Sequence, residues 1–131
     1  MAGRAVVSIL IYGEMILIGK KKISSEKYFA GEWHFPCESV EEGETDEEAL
    51  KRGVREEAGI EILVGRYLAT SVSPTSKKEV RFYECFAETE DIESGSDLED
   101  VRFVPRKDAI DFISEKVRNY LPKEIFDYLN R

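Results

Sequence analysis

The segment from Thr45 to Gly59 constrains the fold more than any other, because its sequence marks a helix at both ends. Thr45-Asp46-Glu47-Glu48 has the form of a capping box. The Thr45 hydroxyl accepts the Glu48 backbone N–H, and the Glu48 carboxylate returns to the Thr45 N–H. The spacing predicts a helix from Asp46 to Ala58, with Gly59 just past its end, where a left-handed residue is favoured. Leu50, Val54 and Ala58 recur every four residues and give this helix one buried face.

Around the helix the pattern changes to that of strands. Arg4 to Ile11 is rich in Val and Ile, Tyr12-Gly13-Glu14 is a turn, and Met15 to Lys21 returns as the second arm of a hairpin. A polar loop over residues 23–32 leads into a short strand, Trp33 to Pro36. Beyond the helix, Glu61 to Val72 reads as a strand, Pro74-Thr75-Ser76 as a turn, and Glu79 to Glu88 as an alternating strand. The acidic stretch Thr89 to Glu99 reads as a loop, and Asp100 to Val104 as the last strand. Pro105 opens a helix near Arg106 with Ala109, Ile110, Phe112 and Ile113 on its apolar side. Pro122 precedes a final helix carrying Ile125, Phe126 and Leu129. This order predicts an α/β (α+β) fold, a mixed β-sheet sandwiched between α-helices. A length of 131 residues fits one domain over residues 1–131, large enough to bury a core unaided.

A formal net charge of −8 argues against a general nucleic-acid binder and against an anionic membrane surface. An acidic protein still binds phosphates where metal ions neutralise the site. Cys37 and Cys85 are far apart and form no CxxC, so their spacing argues against zinc. Cys85, in a strand, is expected to be a buried small hydrophobe, and Cys37 to lie in an accessible loop. The run Ser8 to Tyr12 is far too short to span a bilayer, no leader peptide is read, and a cytoplasmic, reducing location is expected.

Chemistry concentrates between Glu38 and Ile60. Positions 53, 56 and 57 lie three and four apart and so share a helix face. Glu56 and Glu57 are therefore expected to project near each other, where they repel unless a cation stands between them. Mg2+ and Mn2+, which prefer oxygen ligands, suit that place. A solvated acidic face is the plainer alternative.

The stretch resembles the signature of the Nudix (MutT-like) hydrolases. That pattern reads Gly, five residues, Glu, seven residues, then Arg-Glu-aliphatic-x-Glu-Glu-x-Gly-aliphatic. Glu44, Arg52, Val54, Glu56, Glu57, Gly59 and Ile60 fall in register. Two positions depart: Glu38 stands for the opening Gly, and Gly53 for the Glu after the Arg. Cys37 also replaces a common second Gly. Arg102-Phe103-Val104-Pro105 looks like the family's strand before its C-terminal helix.

The resemblance implies a metal-dependent pyrophosphohydrolase, with water attacking phosphorus in a nucleoside diphosphate linked to another moiety. Glu56 and Glu57 would hold Mg2+ or Mn2+, Glu44 and Glu57 would be acids of catalysis, and Glu38, where the family has Gly, joins them as a candidate substitute acid. Glu44 would position a ligand or water. Its other reading is favourable placement near the positive end of the helix. Arg52 counts among the substrate-side residues with Trp33 and Phe35, although its implied work is to orient the acids; its plain reading is an i,i+4 ion pair. Trp33, Phe35 and Tyr28 can stack on a base or pack in the core. His34, the one histidine, is a base or a structural strand residue. Pro74 is placed as in ADP-ribose-cleaving members, but a Pro in a turn is ordinary.

In the family the Glu matching Gly53 usually ligates metal, which a glycine cannot do. A substitute acid would come from Glu38, Glu99 or Asp100; otherwise the site has decayed. A carboxylate introduced by Gly53→Glu is expected to join Glu56 and Glu57 and raise activity. The alternative function is a catalytically impaired Nudix-fold module that binds nucleotide; a pure interaction scaffold leaves Glu56-Glu57 without a reason to be in register. The expected partner is a small-molecule nucleotide, with no nucleic acid and no membrane, and a homodimer is compatible with the reading.

Overall fold

The computed structural model describes residues 3–24, 30–73, 76–96 and 98–131. Strands β1 (Arg4–Tyr12) and β2 (Met15–Lys21) form the expected hairpin, closing at Ile11↔Ile16 and Tyr12↔Met15. The rest of β1 does not stay with β2. It runs parallel to β6 (Glu79–Ala87), which pairs antiparallel with β5 (Ile62–Val72). On its other side, Ala5, Val6 and Val7 pair with Ser39, Glu38 and Cys37 of β4 (Cys37–Ser39). β2 pairs instead with β3 (Trp33–His34) and β7 (Leu98–Pro105). The sheet is thus mixed, in the order β3-β2-β1-β6-β5, with β4 and β7 pairing to β1 and β2.

β1 is central, so both of its faces are buried, which is why its sequence is apolar almost throughout. Ala5, Val7, Ile9 and Ile11 face one core, completed by Phe82 and by Ala109, Ile113, Val117, Ile125 and Leu129 of the C-terminal segment. Val6 and Leu10 face the other, completed by Cys85 and by Ala49, Leu50, Val54 and Ala58. Those last four belong to α1 (Asp46–Ala58), so helices cover both faces as expected. Burial raises the Cys85 thiol pKa to about 11, consistent with an inert core residue. Among the described residues no helix is long and apolar enough to cross a membrane.

Two expectations need correction. The strand read as Trp33 to Pro36 is two strands, because the chain leaves β2 after His34 and joins β1 at Cys37. Between them the Ser8 N–H donates to the Pro36 carbonyl at 2.9 Å. The helix after Pro105 is a 3₁₀ turn (Arg106–Asp108) followed by α2 (Ala109–Phe112) and α3 (Glu115–Arg118). Ser114 interrupts it: the Trp33 N–H donates to the Ser114 hydroxyl at 3.1 Å, and the Ser114 N–H donates to the Trp33 carbonyl at 3.2 Å. The last helix, α4 (Lys123–Leu129), lies where expected. Pro74, Thr75 and Tyr28 lie outside the described residues.

Candidate functional site

α1 is fixed at both ends. The Thr45 hydroxyl accepts the Glu48 N–H at 3.1 Å, and the Thr45 N–H donates to the Glu48 carboxylate at 2.9 Å. Gly59 closes the helix at φ 74°, its N–H on the Arg55 carbonyl. The acidic loop then folds back: Glu93 and Gly95 donate backbone N–H groups to the carbonyls of Ala58 and Glu57, each at 3.1 Å. A Cβ at Gly95 would meet the Glu56 carbonyl oxygen at 2.5 Å, so only glycine lets the loop approach this closely.

The four-residue spacing arranges α1 in rows. Ala49, Gly53 and Glu57 are buried, whereas Arg52 and Glu56 lie on an adjacent, more accessible row. The expectation that Glu56 and Glu57 project together is therefore corrected. Successive helical residues point about 100° apart, which leaves the Glu57 side chain inside and that of Glu56 outside. Glu57 is 2 % exposed, and its Oε1 accepts no hydrogen bond, although other contacts hold the residue.

Arg52 is the hub of the outer row. Its guanidinium donates to both Glu44 oxygens at 2.8 and 2.9 Å, to Glu56 Oε1 at 3.0 Å and to the Ser39 carbonyl at 2.8 Å. Glu41 lies 3.3 Å away and Glu38 3.6 Å. Four carboxylates thus share one cation. The Arg52 hydrogen bonds, with one from the Glu41 N–H, lower the Glu44 pKa to about 2. The same pairing raises that of Arg52, so both stay charged at neutral pH. Arg52 thus engages the acids, the orienting work that the resemblance implies for it.

Glu38 reaches this cluster from β4. A Cβ built on Gly53 would lie 2.8 Å from Glu38 Cβ, 3.1 Å from Cγ and 3.5 Å from Oε2. The space beside Gly53 is therefore filled, and the expectation that Gly53→Glu simply adds a carboxylate is corrected on steric grounds. The other candidate acids have different company: Glu99 pairs with Lys20 at 3.2 Å, and Asp100 with Arg102 at 2.8 Å. Among the described residues, no group of three or more His, Cys, Asp or Glu side chains stands arranged to hold a metal ion. The motif acids turn toward Arg52 instead.

Of the two aromatic candidates, Phe35 is corrected and Trp33 keeps both readings. Phe35 is 2 % exposed within the core, so its ring offers no face to a base. Trp33 packs partly against the same core, and the Arg102 guanidinium sits 4.7 Å from its ring centroid. His34 is buried, with Nδ1 2.6 Å from the Phe35 carbonyl, which favours the structural reading.

Beside Glu38 opens a cleft of about 170 Å³ with Lys21, Lys78, Ser39, Cys37 and Tyr120 on its walls. Lys78 Nζ donates to the Ser39 hydroxyl at 3.2 Å, and Lys21 is 5 % exposed. Sequence reasoning missed these residues apart from Cys37, which it placed in an accessible loop and which lies half-buried in β4. They come from β2, β4, the approach to β6 and the C-terminal segment, and no local pattern joins them.

Comparison with known proteins agrees with this architecture. The chain is 33% identical over 78 residues to the CTP pyrophosphohydrolase of Escherichia coli (strain K12), a match covering 60% of this chain and 56% of that protein. It is 25% identical over 125 residues to the nucleoside triphosphatase NudI of Escherichia coli O81 (strain ED1a), covering 86% of this chain and 89% of that one. A NUDIX hydrolase from Nitrosomonas europaea shares the fold at TM-score 0.79 and 17% identity, over 98% of this chain and 71% of that one. The MutT protein from Methanosarcina mazei Go1 does so at 0.74 and 20%, over 99% and 91%. The family model of the NUDIX domain matches residues 2–124, nearly the whole of this sandwich, and the chain belongs to that family.

Proposed function

We propose that the protein is a metal-dependent pyrophosphohydrolase acting on nucleoside di- or triphosphate compounds, with water attacking phosphorus, the bridging P–O bond of the phosphoanhydride breaking, and the far phosphoryl group leaving with the bridging oxygen. One observation carries this reading: Glu38, Glu41, Glu44 and Glu56 gather on the single guanidinium of Arg52, on the helix that also buries Glu57. Such a cluster has negative charge to spare. Its donors are carboxylate oxygens, the kind Mg2+ and Mn2+ take, so the residues fit such an ion in chemistry. Glu56 and Glu38, from the Arg52 row, and Glu57, from the buried row beside it, would hold it, which requires their carboxylates to turn toward the ion from Arg52 and from the interior. When bound, the ion supplies positive charge at the phosphoryl oxygens and makes a coordinated water more acidic.

The remaining work falls to the chain itself. Glu44 fixes Arg52 through a two-pronged contact, and Arg52 in turn fixes Glu56. Glu38, which lines the cleft, would take a proton from the attacking water. Lys21 and Lys78 bring positive charge to the cleft wall, which favours the phosphates of a nucleotide in an otherwise acidic protein. The named activities of the Escherichia coli relatives put CTP and other nucleoside triphosphates first among substrates to try.

A second reading, a module that binds nucleotide without turning it over, is favoured by Gly53, which lacks the acid of the motif pattern. A panel of nucleoside triphosphates and nucleotide sugars separates the two, with Mg2+ or Mn2+ present and phosphate read with and without added pyrophosphatase. Turnover that Glu57→Gln lowers by about 100-fold or more is the expected result. Nucleotide binding with no turnover anywhere on the panel would replace it with the second reading.

A further inference from the structure

We infer that Glu38 and Gly53 form an exchanged pair: the carboxylate absent from α1 is delivered to the same place from β4, and Gly53 is the gap that admits it. The inference rests on the metal-dependent reading above and adds which residue completes the acid set. It draws on two independent observations. In sequence, both departures involve the same two residue types in opposite sense, an acid where the pattern has Gly and a Gly where it has an acid. In space, positions 15 residues apart in the chain meet face to face. A Cβ at residue 53 would fall 2.8 Å from Glu38 Cβ, closer than real Cβ atoms approach another carbon.

The geometry also fits in detail. In a glutamate the carboxylate oxygens lie roughly 3 to 3.5 Å from their own Cβ, three bonds away. Glu38 Oε2 lies 3.5 Å from where a Cβ on residue 53 would be. An oxygen of Glu38 therefore sits at the distance that an oxygen of a residue-53 glutamate would reach. The same Oε2 is 3.6 Å from Arg52 Nη1, which ties it to the cluster holding Glu44 and Glu56. The Glu38 backbone is fixed, since β4 pairs Glu38 with Val6 of the central strand. A glycine in the third turn of a helix is unfavourable by itself relative to Ala. A bulkier residue there would displace the Glu38 side chain near its root, where it cannot swing aside.

The pair is therefore expected to be interdependent. Gly53→Glu alone places two side chains in one volume and two carboxylates side by side. Glu38→Gly alone empties the site of its acid. The double exchange Glu38→Gly/Gly53→Glu satisfies both demands again.

The test compares these three variants with Glu38→Gln and Glu57→Gln, reading metal-free melting temperature and Mn2+ affinity by calorimetry. Glu38→Gln keeps the shape of the side chain and gives up only a 3.6 Å contact with Arg52, so it should melt within about 2 °C of wild type, but bind Mn2+ at least about tenfold more weakly. Gly53→Glu should melt several degrees lower. The double exchange should recover both quantities relative to its single variants. A double exchange no better than the worse single variant overturns the exchange, as does wild-type Mn2+ affinity in Glu38→Gln. If Glu57→Gln alone loses Mn2+, the exchange fails and the hydrolase reading stands. If none of the variants alters Mn2+ binding, the metal-dependent reading fails with it.

Discussion

Two charge clusters border α1, built in opposite proportion. At its amino end one carboxylate, Asp46, receives Arg4 Nε at 2.6 Å, Arg81 Nη1 at 3.1 Å and the Tyr83 hydroxyl at 2.5 Å. Along its exposed row one guanidinium, Arg52, receives four carboxylates. The Asp46 cluster is closed: its acid is surrounded by donors, and it joins the first turn of α1 to β1 and β6. Burial raises the Tyr83 pKa, with help from the bond to Asp46, to about 12, which keeps that hydroxyl a donor. The Arg52 cluster is open, because one positive charge cannot balance four negative ones. The comparison separates a clamp from a candidate site. A clamp is complete in the protein as folded, whereas a site holds charge that something else must meet.

The largest expected effect comes from breaking the clamp. Asp46→Ala leaves Arg4 and Arg81 facing each other and the Tyr83 hydroxyl without its acceptor. Because the Asp46 side chain is 12% exposed and both arginines 35%, the loss lies below that of a fully buried pair, at about 2–3 kcal/mol. Denaturant unfolding should show a lower midpoint at unchanged slope. Added Mn2+ should not restore this loss, since no spare acid is involved. A loss under about 0.5 kcal/mol, within the range of ordinary surface changes, would show that Asp46 is not a clamp.

Arg52→Met should cost less, about 1–2 kcal/mol without metal, because its partners range from nearly buried Glu44 to exposed Glu41. Its response to metal should be the reverse of that of Asp46→Ala. Removing the cation they share leaves the acids repelling one another, so saturating Mn2+ should raise the melting temperature of Arg52→Met by more than it raises that of wild type. Equal shifts in both proteins would mean that the cluster is not where the ion binds.

Sequence reading reached the clamp and the site unequally. The central strand, both ends of α1, and the register of Glu44, Arg52, Glu56 and Glu57 were legible because each rests on local spacing. Glu38 was legible only as one of three candidate acids. Choosing it over Glu99 and Asp100 requires the pairing of β4 with β1, a contact between distant segments. The burial of Glu57 had a signal, since it continues the row Ala49-Gly53 beside the apolar row Leu50-Val54-Ala58. Arg4, Arg81 and Tyr83 converge on Asp46 only because β1 and β6 run parallel. The interruption at Ser114 likewise depends on hydrogen bonds to Trp33, 81 residues away.

The smallest expected effect is one of acidity. Asp46 and Glu44 are both held below the usual carboxylate range, but for different reasons. Burial works against ionising Asp46 and is outweighed by the bonds from Tyr83, Arg4 and Arg81. At Glu44 the Arg52 bonds act with little opposition and bring its pKa to about 2. A carboxyl whose folded pKa is depressed binds fewer protons folded than unfolded. Its contribution is therefore complete above the unfolded value and is lost as pH falls through the folded one. For Glu44 that window runs from about 4.5, the ordinary value, down to about 2. Melting temperatures taken from pH 6 to pH 2 should fall less steeply for Glu44→Gln than for wild type within that window. The two should run parallel above about pH 5, where Glu44 is ionised in both states. Asp46→Asn should flatten the same limb as well, from a lower starting stability. An acid limb unchanged by Glu44→Gln would show that solvent screens the Arg52–Glu44 pair out of the folding balance, leaving that pair a purely positional device for Glu56.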